Sequence, residues 1–160
     1  MSVKALPPLR LFLDRSTQGR RFTDAVRLLV EDVETINDRY GTKPAEAVPD
    51  TEWIVDASFD GRVLIGADRN IVRNPLERHA ICLCAARYVV FGNNNMTMRA
   101  MIQLFERHLP EIHRLATVPG PWVHRLALHG LDPLTLDCFG QGTRAVVGIS
   151  EADARFPEFF

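Results

Sequence analysis

Cysteine is scarce in this chain of 160 residues, and neither sign of charge is in excess. The three cysteines, two of which (Cys82 and Cys84) lie close together, do not suit the disulfide framework of a small secreted domain and indicate a reducing compartment. The formal net charge of -1 provides no overall positive field for a polyanion, so nucleic-acid binding would require a local basic patch. Disulfide-rich secreted scaffolds and strongly basic proteins are therefore disfavoured.

Long apolar runs and several catalytic motifs are also missing. No stretch approaches the roughly 18 apolar residues of a membrane span, and the segment MSVKALPPLR lacks the apolar region of a signal peptide. There is no phosphate-binding glycine motif and no sequence typical of a serine nucleophile. We therefore expect a cytoplasmic protein with no membrane partner, in which acidic side chains are the main candidates for chemistry.

Apolar segments alternate between strand and helix patterns along the chain. Short apolar runs predict strands at residues 9–13, 32–36, 62–65 and 87–92. Helical spacing predicts helices at residues 22–30, 50–60, 75–86 and 98–116, the second of them capped by Asp50 or Thr51. Residues 38–49 are predicted to form a loop, residues 121–130 a short helix and residues 144–149 an added edge strand.

This alternation predicts a three-layer α/β/α sandwich with a mainly parallel central sheet. We expect one domain over residues 1–145, followed by a tail over residues 146–160 that packs on the domain or on a partner. Ligands of such sheets bind at the carboxyl ends of the strands, where the strand order reverses. Functional side chains are therefore expected at these ends.

Asp14 and Asp68 both follow a predicted strand at its carboxyl end. If the first and third strands are neighbours, the two carboxylates would lie about 4.8 Å apart and could share a divalent cation. Asp50 and Glu52, in the first turn of a helix, could point toward the same crevice. The alternative for all of these acids is helix capping, which acidic residues at such turns often provide.

Amides and arginines surround these acids in the sequence. Asn93, Asn94 and Asn95 follow the fourth strand and could contact a phosphate oxygen, or form an ordinary turn before the next helix. The arginines that follow the two acidic strand ends are Arg15, Arg20, Arg21, Arg69, Arg73 and Arg78. A basic rim around an acidic crevice suits a metal-dependent reaction on a phosphodiester, although the same arginines could form a solvated face paired with Glu77 and Asp24.

Four segments in this order resemble the PIN-like nucleases, in particular compact members related to the VapC toxins. They are LFLDRS, VPDTEW, RVLIGADRNIVRNPLERHA and VVFGNNNMT, and the resemblance covers about residues 9–109. It implies a sheet whose acids bind Mg²⁺ or Mn²⁺, with RNA hydrolysed by a metal-activated water. One departure is the GAD segment, where Gly66 and Ala67 stand in place of a hydroxyl residue and a lysine and remove a possible substrate contact.

The resemblance also implies roles for individual residues. The catalytic residues and metal ligands would be Asp14, Glu52 and Asp68, with Asp50 as a further metal ligand. From their positions after the strands, the side chains expected to contact the RNA are those of Arg15, Arg69, Arg73, Asn93, Asn94 and Asn95.

The leading hypothesis is a metal-dependent endoribonuclease, the toxin of a toxin-antitoxin pair, with RNA as substrate, a small antitoxin protein as partner and a homodimer as assembly. The alternative is a non-catalytic protein-binding module on the same scaffold. A receiver-like phosphoacceptor domain is disfavoured, because VVFGNNN offers no lysine at the end of the fourth strand.

Overall fold

The computed structural model describes residues 6–92 and 95–139, except for the side chain of Arg69. Within these residues one sheet has the strand order β2-β1-β3-β4-β5-β6. Its strands are β1 (Arg10–Leu13), β2 (Asp32–Thr35), β3 (Val63–Gly66), β4 (Arg87–Phe91), β5 (Trp122–Ala127) and β6 (Gly130–Pro133). The first five are parallel, and β6 pairs antiparallel with β5. The prediction of a mainly parallel sheet is confirmed.

Helices cover both faces of this sheet. They are α1 (Arg20–Leu29), α2 (Ile36–Tyr40), α3 (Thr42–Ala45), α4 (Asp50–Phe59), α5 (Pro75–Leu83) and α6 (Met98–Leu115), with a 3-10 helix at Arg69–Val72. Residues of α1 and α6 pack with Leu11 and Leu13 in one core, whereas residues of α4 and α5 pack with Phe12 in a second core. Alternate residues of β1 thus face opposite helical layers, which confirms the three-layer sandwich.

The strand order reverses between β1 and β3. Chain connections place β2 on one side of β1 and β3 on the other, and Leu13 of β1 lies opposite Ile65 of β3. The carboxyl ends of these two strands therefore meet at one edge of the sheet, as the sequence predicted.

Ion pairs join the strands at the opposite, amino-terminal edge. Arg62 is 8% exposed and contacts Asp32 at 2.8 Å and Glu34 at 3.0 Å. Arg10 also contacts Asp32, at 3.0 Å, and hydrogen bonds from both arginines hold the pKa of Asp32 below its ordinary value. This network lies away from the functional edge and is a structural feature of β1, β2 and β3.

Two segments do not have the predicted secondary structure. The predicted loop at residues 38–49 contains the end of α2 and all of α3, because Thr35 and Asp38 form a reciprocal capping box that starts α2. The predicted short helix at residues 121–130 is instead β5 with the turn into β6. Trp122, Val123 and Leu126 are buried there, because β4 offers an unpaired edge on which a strand can add.

Two local predictions also need correction. The residue that caps α4 is Pro49, so Asp50 and Thr51 lie inside its first turn. Cys82 forms a disulfide with Cys138, contrary to the expectation of reduced cysteines, because the chain after β6 returns to α5 across 56 residues of sequence.

The tail and the last predicted strand lie outside the described residues. The strand predicted at 144–149, the domain boundary at residue 145 and the tail at 146–160 all remain predictions. In the part of the chain that the structure describes, no helix has the length and apolar character needed to cross a membrane.

Candidate active site

Asp14 lies directly after β1 and is 6% exposed. Its Oδ1 accepts hydrogen bonds from the Ser16 amide at 2.9 Å and the Ser16 hydroxyl at 2.5 Å, and the Thr17 hydroxyl lies 3.2 Å away. Its Oδ2 accepts one from the Tyr88 hydroxyl at 2.9 Å. Burial raises the pKa of the Asp14 carboxyl, while the donors on Ser16 and Tyr88 act in the opposite direction.

The turn after Asp14 joins the ends of β1 and β3. The Thr17 hydroxyl donates to the Ile65 carbonyl at 2.8 Å, and the Asp14 amide donates to the same carbonyl at 3.1 Å. The Ser16 hydroxyl accepts a bond from the Ala67 amide at 2.9 Å. These bonds fix the Asp14 carboxylate relative to the segment that leads to Asp68.

Asp50, on the first turn of α4, turns toward the sheet. Its Oδ1 accepts hydrogen bonds from Arg15 and from the Trp53 indole, both at 2.9 Å. A third bond joins it to the Glu77 carboxyl. Burial opposes ionisation of Asp50, but the bonds from Glu77, Trp53 and Arg15 outweigh it and hold the pKa below its ordinary value.

Glu77, on the first turn of α5, is the partner of Asp50 in a carboxyl pair. Burial, the hydrogen bond with Asp50, and the negative charges of Asp50 and Asp68 raise the pKa of Glu77 to about 7. The two carboxyls are thus close enough for the negative charge of Asp50 to oppose ionisation of Glu77. The acids therefore carry more negative charge than their surroundings compensate. A bound cation could supply that compensation in place of a proton on Glu77.

Asp68 lies two residues beyond β3 and caps the 3-10 helix, where its Oδ1 accepts a bond from the Asn70 amide at 2.9 Å. Its charge acts on Glu77, and burial together with the charges of Asp14, Asp50 and Glu77 raises the pKa of Tyr88 well above its ordinary value. The charges of Asp14, Asp50 and Glu77 thus all act on one buried hydroxyl, and the charge of Asp68 acts on Glu77.

Glu52 is not part of this group. It is exposed on α4, and its charge acts on Tyr40, whose hydroxyl donates to Asp56 at 2.6 Å. Successive helical residues are about 100° apart, so Asp50 and Glu52 point in nearly opposite directions. The burial of Trp53, which contacts Asp50, turns Asp50 rather than Glu52 toward the sheet.

The predicted substrate residues have different surroundings. Arg15 is committed to Asp50 and to the carbonyls of Ala45 and Val48, so it holds the start of α4 in place. Arg73 is exposed at the end of the 3-10 helix, and Asn95 is exposed before α6. The Arg69 side chain, Asn93 and Asn94 lie outside the described part of the structure.

The chemistry of the donors fits a hard divalent cation. Such ions take carboxylate oxygens, which this cluster supplies from four residues. As the side chains stand in the described residues, no three acidic, histidine or cysteine groups are close enough to hold a metal ion. A cation is further favoured by the mutual repulsion of the Asp50 and Glu77 carboxyls, which raises the pKa of Glu77 and which a cation would compensate.

Sequence reasoning considered Glu77 only as an ion-pair partner of the arginines and did not identify Tyr88. Glu77 stands three residues after Asn74, the cap of a helix whose N-terminus lies at the functional edge, so its position could have suggested it. Tyr88 sits inside an apolar strand run and offered no such signal. The orientation of Asp50 was readable, because Trp53 and Ala57 follow it at helical spacing and are buried.

The comparisons with known proteins agree with this architecture. A family model described as a PIN like domain matches residues 9–93, a span that includes β1 to β4, and the chain belongs to this family. The span contains Asp14, Asp50, Asp68 and Glu77.

A curated protein from Mycobacterium tuberculosis strain H37Rv, named "Putative ribonuclease VapC45", is 26% identical over 114 residues. The match covers 71% of this chain and 83% of that protein. No solved structure matches the chain. The resemblance to PIN-like proteins of the VapC group is therefore confirmed, and it places the chain in a family of nucleases and toxins.

Proposed function

We propose that this protein is a divalent-cation-dependent endoribonuclease that acts as the toxin of a toxin-antitoxin pair. The observation that carries the proposal is the group of acids at the carboxyl edge of the sheet, in which Asp14 accepts a hydrogen bond from the buried Tyr88 hydroxyl and Asp50 accepts hydrogen bonds from Arg15 and Trp53. Membership of the PIN-like family and similarity to a protein named as a ribonuclease supply the reaction class.

Asp14, Asp50, Asp68 and Glu77 would hold Mg²⁺ or Mn²⁺. Such an ion, when bound, lowers the pKa of a water and neutralises charge on the phosphate. Glu52, predicted as a ligand from the resemblance, has an orientation that supports this role less well than that of Glu77.

The chain's own residues would orient these acids and the RNA. Arg15 and Trp53 each donate a hydrogen bond to Asp50 and hold its carboxylate in one direction. Arg73 is exposed beyond β3 and can meet a phosphate of the RNA backbone, with Asn95 as a further contact at the end of β4. Arg69, Asn93 and Asn94 remain predicted contacts from the sequence.

The name of the M. tuberculosis relative also supports a small antitoxin protein as partner. An antitoxin that inhibits the enzyme would need to neutralise or cover the acidic cluster. The homodimer expected from the sequence has no support in the structure and stays a prediction.

The test is cleavage of a single-stranded RNA by the full chain, with Mn²⁺ or Mg²⁺ and with a chelator. We expect cleavage only with the cation, and a loss of about 100-fold or more in Asp14→Asn and Glu77→Gln, because each substitution removes a ligand. Glu52→Gln is the matched control and should remain active.

Two outcomes would contradict the proposal in different ways. If Glu52→Gln were inactive and Glu77→Gln active, the cation site would be the one predicted from the sequence. If the folded parent did not bind a cation and did not cleave RNA, the hypothesis of a non-catalytic binding module would replace that of an enzyme.

A further inference from the structure

Tyr88 is fully buried on β4, yet its hydroxyl reaches the Asp14 carboxylate at the end of β1. The strand between them is β3, so the tyrosine side chain must cross this strand. It crosses at Gly66. A Cβ at this position would lie 2.7 Å from the Tyr88 hydroxyl and 2.4 Å from Oδ2 of Asp14, which is too close for either atom to stay in place.

The two oxygens of Asp14 are used unequally. Among the described residues Oδ1 accepts two hydrogen bonds from Ser16 and lies 3.2 Å from the Thr17 hydroxyl, whereas Oδ2 accepts the one from Tyr88. A carboxylate oxygen has two lone pairs, so Oδ2 is the oxygen that keeps a lone pair for a further ligand. The Tyr88 hydroxyl occupies the other lone pair and so limits the directions from which a further ligand can approach.

Tyr88 also packs against the residue that orients the second acid. Its ring makes an edge contact with the Trp53 ring, with centroids 6.2 Å apart, and the Trp53 indole donates to Asp50. Two buried aromatic side chains in contact therefore each donate one hydrogen bond to a different carboxylate. Buried aromatic rings have little rotational freedom, which makes them suitable supports for a site that must keep its geometry.

We propose that Tyr88 is a positioning residue that turns Oδ2 of Asp14 toward the bound cation, and that Gly66 is required for Tyr88 to reach it. The inference rests on the proposed cation-dependent function. It differs from a purely structural role, in which the hydroxyl would only satisfy a buried carboxylate and its loss would change stability without changing cation affinity.

The test is the affinity of the full chain for Mn²⁺, measured from the free ion by electron paramagnetic resonance, together with the Mn²⁺ concentration that gives half-maximal RNA cleavage. Tyr88→Phe should weaken both by about 10-fold or more, as expected when a residue that orients a ligand is lost. The KM for RNA at saturating Mn²⁺ should be unchanged, because the hydroxyl does not contact RNA.

Tyr40→Phe is the matched control. It removes the same hydroxyl from a partly buried tyrosine bonded to Asp56, outside the carboxyl cluster, and it should leave the Mn²⁺ affinity unchanged. Thermal melting of both variants shows how far each substitution lowers the stability of the fold.

Gly66→Ala provides a second test that retains the tyrosine, and it decides the question if Tyr88→Phe does not fold. The added methyl should displace Oδ2 and weaken Mn²⁺ binding by a similar factor, whereas Gly19→Ala, with nothing within 4 Å, should have no effect. The losses of Mn²⁺ affinity caused by Gly66→Ala and Tyr88→Phe should not be additive in the double variant, because both substitutions act on Oδ2 of Asp14.

Two results would overturn the inference. Unchanged Mn²⁺ affinity in folded Tyr88→Phe, or in Gly66→Ala, would show that the pair is structural while the proposed enzyme stands. A parent protein that binds no Mn²⁺ would remove the proposed function and this inference together.

Discussion

Replacing Glu77 with glutamine should stabilise the cation-free protein near pH 8. In the folded state the pKa of Glu77 is raised to about 7, from an ordinary value of 4.5. Between these pH values the folded protein holds a proton that the unfolded chain has released, so stability falls as the pH rises through this window. Glutamine carries no charge at any of these pH values and avoids the cost.

The expected gain is modest because Glu77 is only partly buried. After allowance for screening by solvent, we expect about 1–2 kcal/mol in the free energy of unfolding at pH 8. For a domain of this size that corresponds to about 3–6 °C in Tm. At pH 5, close to the ordinary pKa of 4.5, most of this cost is absent, and the difference between the two proteins should be several-fold smaller.

The assay is denaturant and thermal unfolding of the parent and Glu77→Gln at pH 5 and pH 8 with a chelator, then with Mn²⁺. The cation should stabilise the parent by about 2.7 kcal/mol at 100 times its Kd. It should stabilise Glu77→Gln less, because a ligand is lost. Glu52→Gln should show neither effect. If Glu77→Gln were no more stable than the parent at pH 8, or gained equally at both pH values, the carboxyl pair would not hold an excess charge.

Three further predictions concern other parts of the molecule. Arg62→Leu should lower the free energy of unfolding by about 2 kcal/mol, because Asp32 and Glu34 lose their buried partner. The stabilisation by Mn²⁺ should be unchanged. A smaller stabilisation by Mn²⁺ would show that the two edges of the sheet are coupled. Arg73→Ala should reduce the slope of log affinity for single-stranded RNA against log salt by about 0.7. Arg114→Ala, in the last turn of α6 and away from the acidic cluster, should leave the slope unchanged. Equal slopes for the two variants would place the RNA elsewhere. Cys82→Ala should cost about 2–4 kcal/mol in oxidising buffer and little in reducing buffer, and an equal effect in both would mean that the disulfide with Cys138 contributes nothing.

Much of the architecture could be read from local patterns. The apolar runs around Leu11 and Ile65 are buried on both faces, and such runs separated by amphipathic segments are typical of a parallel sheet between helices. The same patterns placed Asp14 and Asp68 at strand ends. Parallel strands bring their carboxyl ends to one edge, so the approximate location of the site followed without any long-range information.

Other features depended on contacts between distant parts of the chain. The sequence pattern around Trp122 and Val123 is compatible with a helix or a strand. The segment forms strand β5 because it pairs with the free edge of β4. Cys82 and Cys138 are paired through the return of the chain after β6, which no local signal predicts.

The composition of the site was decided in the same way. The sequence determined by itself that an acid follows β1 and another follows β3, because strand ends and turns are local properties. Only the tertiary structure placed Glu77 of α5 against Asp50 of α4, and Tyr88 of β4 across Gly66 to Asp14. The physical reason is that these contacts depend on which strands are neighbours and how each helix is rotated on the sheet, and both are set by packing of the whole core.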